Sequence, residues 1–183
     1  MSDLAASFAA RLESVGGMAR WCGASDVPDL VVEAAGAFPN QPVIYTDAVA
    51  SLLPGLVRAL EERGVSLVPA RSIDDSLSSP VALSTGELAI AETGSVLTAN
   101  RELMQRAPTM LSTTHFLIVP EEKLVADLDA AGDWLRDNVA SAPYVTFITG
   151  PSRTADIQRT LTIGVQGPRE VIVLFLRQPA ATA

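Results

Sequence analysis

The chain has 183 residues, of which 48% are hydrophobic and 19% charged, and a formal net charge of −8. That length supports one well-filled core, and the balance excludes a disordered chain. Thirteen Lys and Arg against 21 Asp and Glu, with no basic run, argue against a nucleic-acid surface, which needs clustered cations. Leu4, Phe8, Leu12 and Val15 recur at helical spacing, with Ser2 placed to cap the start and Gly16-Gly17 to stop the helix. A short strand over 18–22, a helix over 26–38 and a buried strand over 42–46 follow. Residues 51–64 read as a helix ending at Gly64, and 65–70 as the next strand. "SIDDSLSSP" (72–80) reads as a mobile loop. "ELAIAETGSVLTAN" (87–100) leaves no room for a crossover helix between its two extended pieces and reads as a hairpin-like excursion. His115 opens the strand "HFLIVP". The longest helical pattern covers 121–139, and 144–149 and 171–176 are continuous apolar runs of the kind buried on both faces.

Alternating strands and helices predict a single three-layer α/β/α domain over 1–183, with a Rossmann-like, mostly parallel mixed sheet. Strands 42–46, 65–69, 116–119, 144–149 and 171–176 are expected to share that sheet.

The lone cysteine, Cys22, excludes an internal disulfide and a self-contained iron–sulfur cluster. The lone histidine, His115, leaves too few ligands for zinc. No cofactor is expected on this chain. The first residues, carrying Asp3, Arg11 and Glu13, do not form a signal peptide. No run approaches the roughly 18 apolar residues of a membrane span. The expectation is a cytoplasmic protein that touches neither membrane nor nucleic acid.

Three stretches carry candidate chemistry. In "FITGPSRTADIQ" (147–158), a strand end meets Gly150 and Pro151, with Ser152 or Thr154 placed to begin a helix. Amides at such a start attract anions, and Arg153 adds a charged fork. The plainer reading is a capped helix whose Asp156 favours its own dipole. In "AETGS" (91–95), Glu92 is either a nucleophile or base beside the permissive Gly94, or a solvated turn residue. "GVQGP" (164–168) is a glycine-bounded turn before the last strand, structural or ligand-binding. His115 itself reads as a hydrogen-bonded edge residue or a ligand contact. Trp21 and Trp134 read as core.

Taken together, "AIAETGSVLTAN", "HFLIVP", "ITGPSRTADIQRTLTIGVQGP" and "VIVLFL" resemble the lactate-utilisation domain family (LutC/YkgG), and the resemblance covers nearly the whole chain. It implies a fold like that of the ribose-phosphate isomerase and CoA-transferase group. It also implies a non-redox accessory role beside iron–sulfur subunits that together oxidise L-lactate, with the clusters on those partners. A small anionic ligand would then meet Thr93, Gly94, Gly150, Ser152, Arg153, Thr154, Asp156, Gly164, Gln166 and Gly167, and a homodimer is compatible with this reading. The alternative is a stand-alone enzyme for a phosphorylated, CoA-linked or folate-type substrate with Glu92 catalytic, since Ala91-Glu92-Thr93-Gly94 looks like the glutamate turn of some CoA-transferases. Two departures stand out. Gln158 occupies a position where the family usually has Glu, and Gln166 one where it has His, which removes ionisable groups but keeps hydrogen bonding. The short stretch ahead of the domain implies that a docking element of longer relatives is missing.

Overall fold

The computed structural model describes residues 2–138, 140–141, 144–154, 162–163 and 167–177. The chain runs through α1 (Asp3–Ser14), β1 (Met18–Cys22), α2 (Val27–Ala35), β2 (Val43–Tyr45), α3 (Asp47–Leu52), α4 (Leu56–Glu61) and β3 (Leu67–Pro69). It continues through α5 (Ile73–Leu77), β4 (Val81–Thr85), β5 (Leu88–Ile90), β6 (Ser95–Asn100), α6 (Leu103–Leu111) and β7 (Thr114–Pro120). The last elements are β8 (Leu124–Val125), α7 (Leu128–Asn138), β9 (Tyr144–Ile148), β10 (Arg153–Thr154), β11 (Thr162–Ile163) and β12 (Glu170–Leu176).

The main sheet has six strands in the order β1-β12-β7-β4-β2-β3, all paired in parallel. This is the predicted α/β fold with helices on both faces. One face, including Leu83, Phe116, Ile118 and Leu174, packs under Val27 and Val31 of α2 and Leu56 and Leu60 of α4. The other, including Leu117, Val119, Val173 and Phe175, packs under Phe8 and Leu12 of α1 and the β5–β6 hairpin. Phe8 meets Phe175 edge-on at 5.0 Å between ring centroids, and Trp21 stacks on it at 4.6 Å. These contacts make α1 part of the core.

Several expectations change. Strand 144–148 does not join the main sheet: it pairs antiparallel with β6 in a second sheet of order β8-β5-β6-β9. The antiparallel β5–β6 pairing confirms the hairpin, and the mixed part of the architecture lies in this separate sheet. The apolar look of 144–148 is therefore no sign of two-sided burial, since Tyr144 and Phe147 are 46% and 43% exposed. The hairpin instead is buried on both faces. Ala89 and Val96 turn toward the main sheet, while Leu88, Ile90 and Leu97 pack against Ala131 and Trp134 of α7.

The helix expected over 121–139 begins only at Leu128. Leu124 and Val125 extend to pair in parallel with Ala89 and Ile90, so sheet pairing overrides helical spacing there. Residues 51–64 divide into α3 and α4 at Pro54-Gly55, where Gly55 takes φ +96°. The supposed mobile loop contains α5, held by a capping box in which Ser72 and Asp75 exchange side-chain-to-backbone hydrogen bonds; the bond to Ser72 holds the Asp75 carboxyl below its ordinary range. β4, a central strand, and α6 were not anticipated. Nor is His115 an edge residue. It is fully buried, between Ala82 of β4 and Val171 of β12.

Candidate functional site

Ser152, Arg153 and Gly167 converge on the Gly16-Gly17 turn that ends α1. The Ser152 N–H donates to the Pro168 carbonyl at 2.9 Å, tying the 150–154 segment to the turn before β12. Gly150 takes φ +74°, and a Cβ on it would lie 2.9 Å from Val15 Cγ2. A Cβ on Gly16 (φ +86°) would lie 2.8 Å from Arg153 Nη2, and one on Gly167 3.1 Å from Ser152 Cβ. Three glycines thus permit three chain segments to meet, and the Arg153 guanidinium lies over one of them. A cavity of about 190 Å³ opens at Gly17, lined also by Glu13 and Arg20. Arg153 is exposed and, among the described residues, has no carboxylate partner.

The local geometry differs from the expected strand-to-helix turn. Arg153 and Thr154 are extended and pair antiparallel with Ile163 and Thr162, so no helix starts at Ser152 or Thr154. The Ser152 amide is already engaged. Anion recognition here rests on the Arg153 guanidinium and the Ser152 hydroxyl, not on a fan of free helix amides. Asp156, Gln158, Gly164 and Gln166 lie outside the described residues.

The 91–95 turn is adjacent but faces α1 differently. The Ser95 and Thr149 hydroxyls bond at 2.6 Å, linking the turn to the end of β9. Gly94 is buried against the Arg11–Leu12 backbone of α1. Thr93 Oγ1 is buried without a hydrogen-bond partner among the described residues. Glu92 is exposed, and its Oε2 accepts the Leu128 N–H at 3.1 Å, at the start of α7. There the carboxylate satisfies one orphan amide and complements the helix dipole. Glu92→Gln keeps the acceptor and loses the charge, so thermal denaturation should register a loss of only about 0.5 kcal/mol.

Sequence reasoning missed Val15, Gly16 and Gly17 as part of this junction. The Gly-Gly pair was legible as a helix stop, but nothing local shows that residues 150–153 would come to rest on it. Among the described residues, no group of three or more His, Cys, Asp or Glu is arranged to hold a metal, and no helix is long and apolar enough to cross a membrane.

Known proteins agree with this architecture. A solved structure of a DUF162 family protein from Deinococcus radiodurans superposes with a TM-score of 0.72 over 97% of this chain and 99% of that one, at 18% identity. Lactate utilization protein C of Bacillus subtilis (strain 168) is 36% identical over 92 residues, 48% of this chain and 38% of the relative. Lactate utilization protein C of Bacillus velezensis is 33% identical over 103 residues, 54% of this chain and 43% of the relative. The matches thus span about two-fifths of these relatives' lengths. The LUD domain family model matches residues 57–176, from α4 to the end of the last strand, and this chain belongs to the LUD domain family.

Proposed function

We propose that this chain serves lactate utilisation as a non-redox accessory subunit, binding a small anion at Arg153 and Ser152 and working beside iron–sulfur partner subunits. The observation that carries the binding half is the unpaired Arg153 guanidinium, held over Gly16 where three glycine turns meet, next to an open cavity. In a chain of net charge −8, an isolated cation of this kind is a local attractor for a carboxylate or phosphate. The names of the relatives support the lactate half.

Titration calorimetry with L-lactate, pyruvate and inorganic phosphate on wild type and Arg153→Ala tests the site. Removing one charge-assisted hydrogen bond should cost about 1.5–3 kcal/mol of binding. Unchanged affinity in the variant would remove Arg153 from the site. Co-purification from native cells tests the partners, and recovery of iron–sulfur proteins is the expected result. The competing reading, an enzyme with Glu92 as nucleophile, predicts that Glu92→Gln abolishes turnover. The engagement of that carboxylate with α7 favours the cap.

A further inference from the structure

Because β9 stands outside the parallel sheet, the 150–154 segment is not one of that sheet's carboxyl ends. Those ends lie elsewhere and form their own crevice. From β2 the chain adds β3 on one side, then doubles back to place β4 on the other side of β2. Connections leaving β2 and β4 therefore diverge, which is where open parallel sheets leave room for ligands. A crevice of about 500 Å³ occupies this position.

Three strand exits build it. Ser51 and Leu52 come from α3, directly after β2. Thr85, Gly86 and Glu87 close β4, and Pro120 and Lys123 follow β7. The rim beside Gly86 is rigid, because Gly86 donates its N–H to Ile118 O at 3.0 Å and Glu87 donates to Leu97 O at 2.8 Å. A Cβ on Gly86 would collide with Val96 Cγ1 of the second sheet, so the chain passes here only as glycine. The crevice carries an apolar surface, Leu52 and Pro120, and two opposite charges, Glu87 and Lys123. Among the described residues those charges make no ion pair, with each other or with anything else.

We propose that this crevice binds a carboxylic acid with an apolar body and a hydrogen-bond donor on the carbon next to the carboxyl group, a 2-hydroxy or 2-amino acid. The carboxylate pairs with the Lys123 ammonium, the hydroxyl or ammonium donates to Glu87, and the aliphatic chain covers Leu52 and Pro120. Recognition of this kind needs both charges left open by the fold, and it is independent of Arg153.

The test is an NMR titration of the full chain that follows the Thr85 and Gly86 amides, using 2-hydroxy-4-methylpentanoate, leucine and 4-methylpentanoate as probes. The hydroxy acid, the amino acid or both should shift these amides, and the stronger of the two identifies the donor that Glu87 accepts. The acid without a donor should bind about tenfold more weakly than the stronger probe, the effect of one lost hydrogen bond to a charged group. Lys123→Met should weaken the stronger probe by about tenfold or more. Arg58→Met, which removes a cation from an exposed pair on α4, should leave it unchanged. Equal binding of all three acids, an unaffected Lys123→Met variant, or no shift at Thr85 and Gly86 overturns the proposal. Shifts confined to Gly16, Ser152 and Gly167 overturn it too, while leaving the Arg153 site intact.

Discussion

Gly94→Ala should lower the stability of the protein by about 3 kcal/mol, measured as the difference in unfolding free energy in urea. Two costs add. Gly94 takes φ +67°, where an L side chain carries about 1 kcal/mol of strain. The new methyl would also stand 2.5 Å from Leu12 N and 2.9 Å from the Arg11 carbonyl carbon, both backbone atoms of α1 that no rotamer change can move. Overpacking of that kind costs about 1–3 kcal/mol. Gly64→Ala isolates the first cost, because Gly64 has φ +80° and nothing within 4 Å of the added carbon. It should lose only about 1 kcal/mol. Equal losses in the two variants would show that α1 does not press on the 91–95 turn. Since the Gly94 contact also holds α1 near Gly16 and Arg153, the destabilised variant should bind anions more weakly as well.

Acid should weaken the fold through His115 before most carboxylates begin to titrate. Its ring is fully buried, its Nε2 lies 2.7 Å from Ser84 Oγ, and its Nδ1 has no partner among the described residues. Burial pushes its pKa down from 6.5 to about 3, because a charged imidazolium would have to give up water. The unfolded chain binds this proton near pH 6.5 and the folded chain does not. The stabilising contribution is therefore complete above that pH and falls as pH drops toward 3, by about 1.4 kcal/mol per pH unit. Between pH 7 and 5 the loss should be about 2 kcal/mol. Unfolding free energies across that window check it, and the readout is the slope. His115→Gln lowers the level at every pH but should flatten the slope, because the amide has no proton to take up. A slope that persists in the variant would assign the effect to another group.

Much of the scaffold was legible from local chemistry. Ser2, the apolar positions of α1 and the Gly16-Gly17 stop specify that helix without help from the rest of the chain. The runs at 114–120 and 170–176 are apolar enough to demand cover on both faces, and they form adjacent central strands. Thr93-Gly94 announces a turn between two extended pieces, and β5 and β6 pair across it.

Partner choice between segments was not legible, because strand pairing is made by residues far apart in sequence. The run 144–148 has the composition of a central strand, yet its neighbour β6 places it in the second sheet with half its surface toward solvent. Leu124 and Val125 continue a helical period, yet an unpaired edge on β5 captures them as a strand. The same holds for the sites. Glycine, arginine and hydroxyl at 150–153 were visible as a polar cluster by themselves. Their junction with Gly16 exists only because α1 packs, through Phe8 and Leu12, on the same face as the second sheet. Glu87 and Lys123 gave no sequence signal at all, since only the crossing of β2 and β4 brings their loops to one crevice. Local propensity and burial are set by neighbours a few residues away and can be read from the chain; which loops share a site is decided by strand order, and strand order is a property of the folded whole.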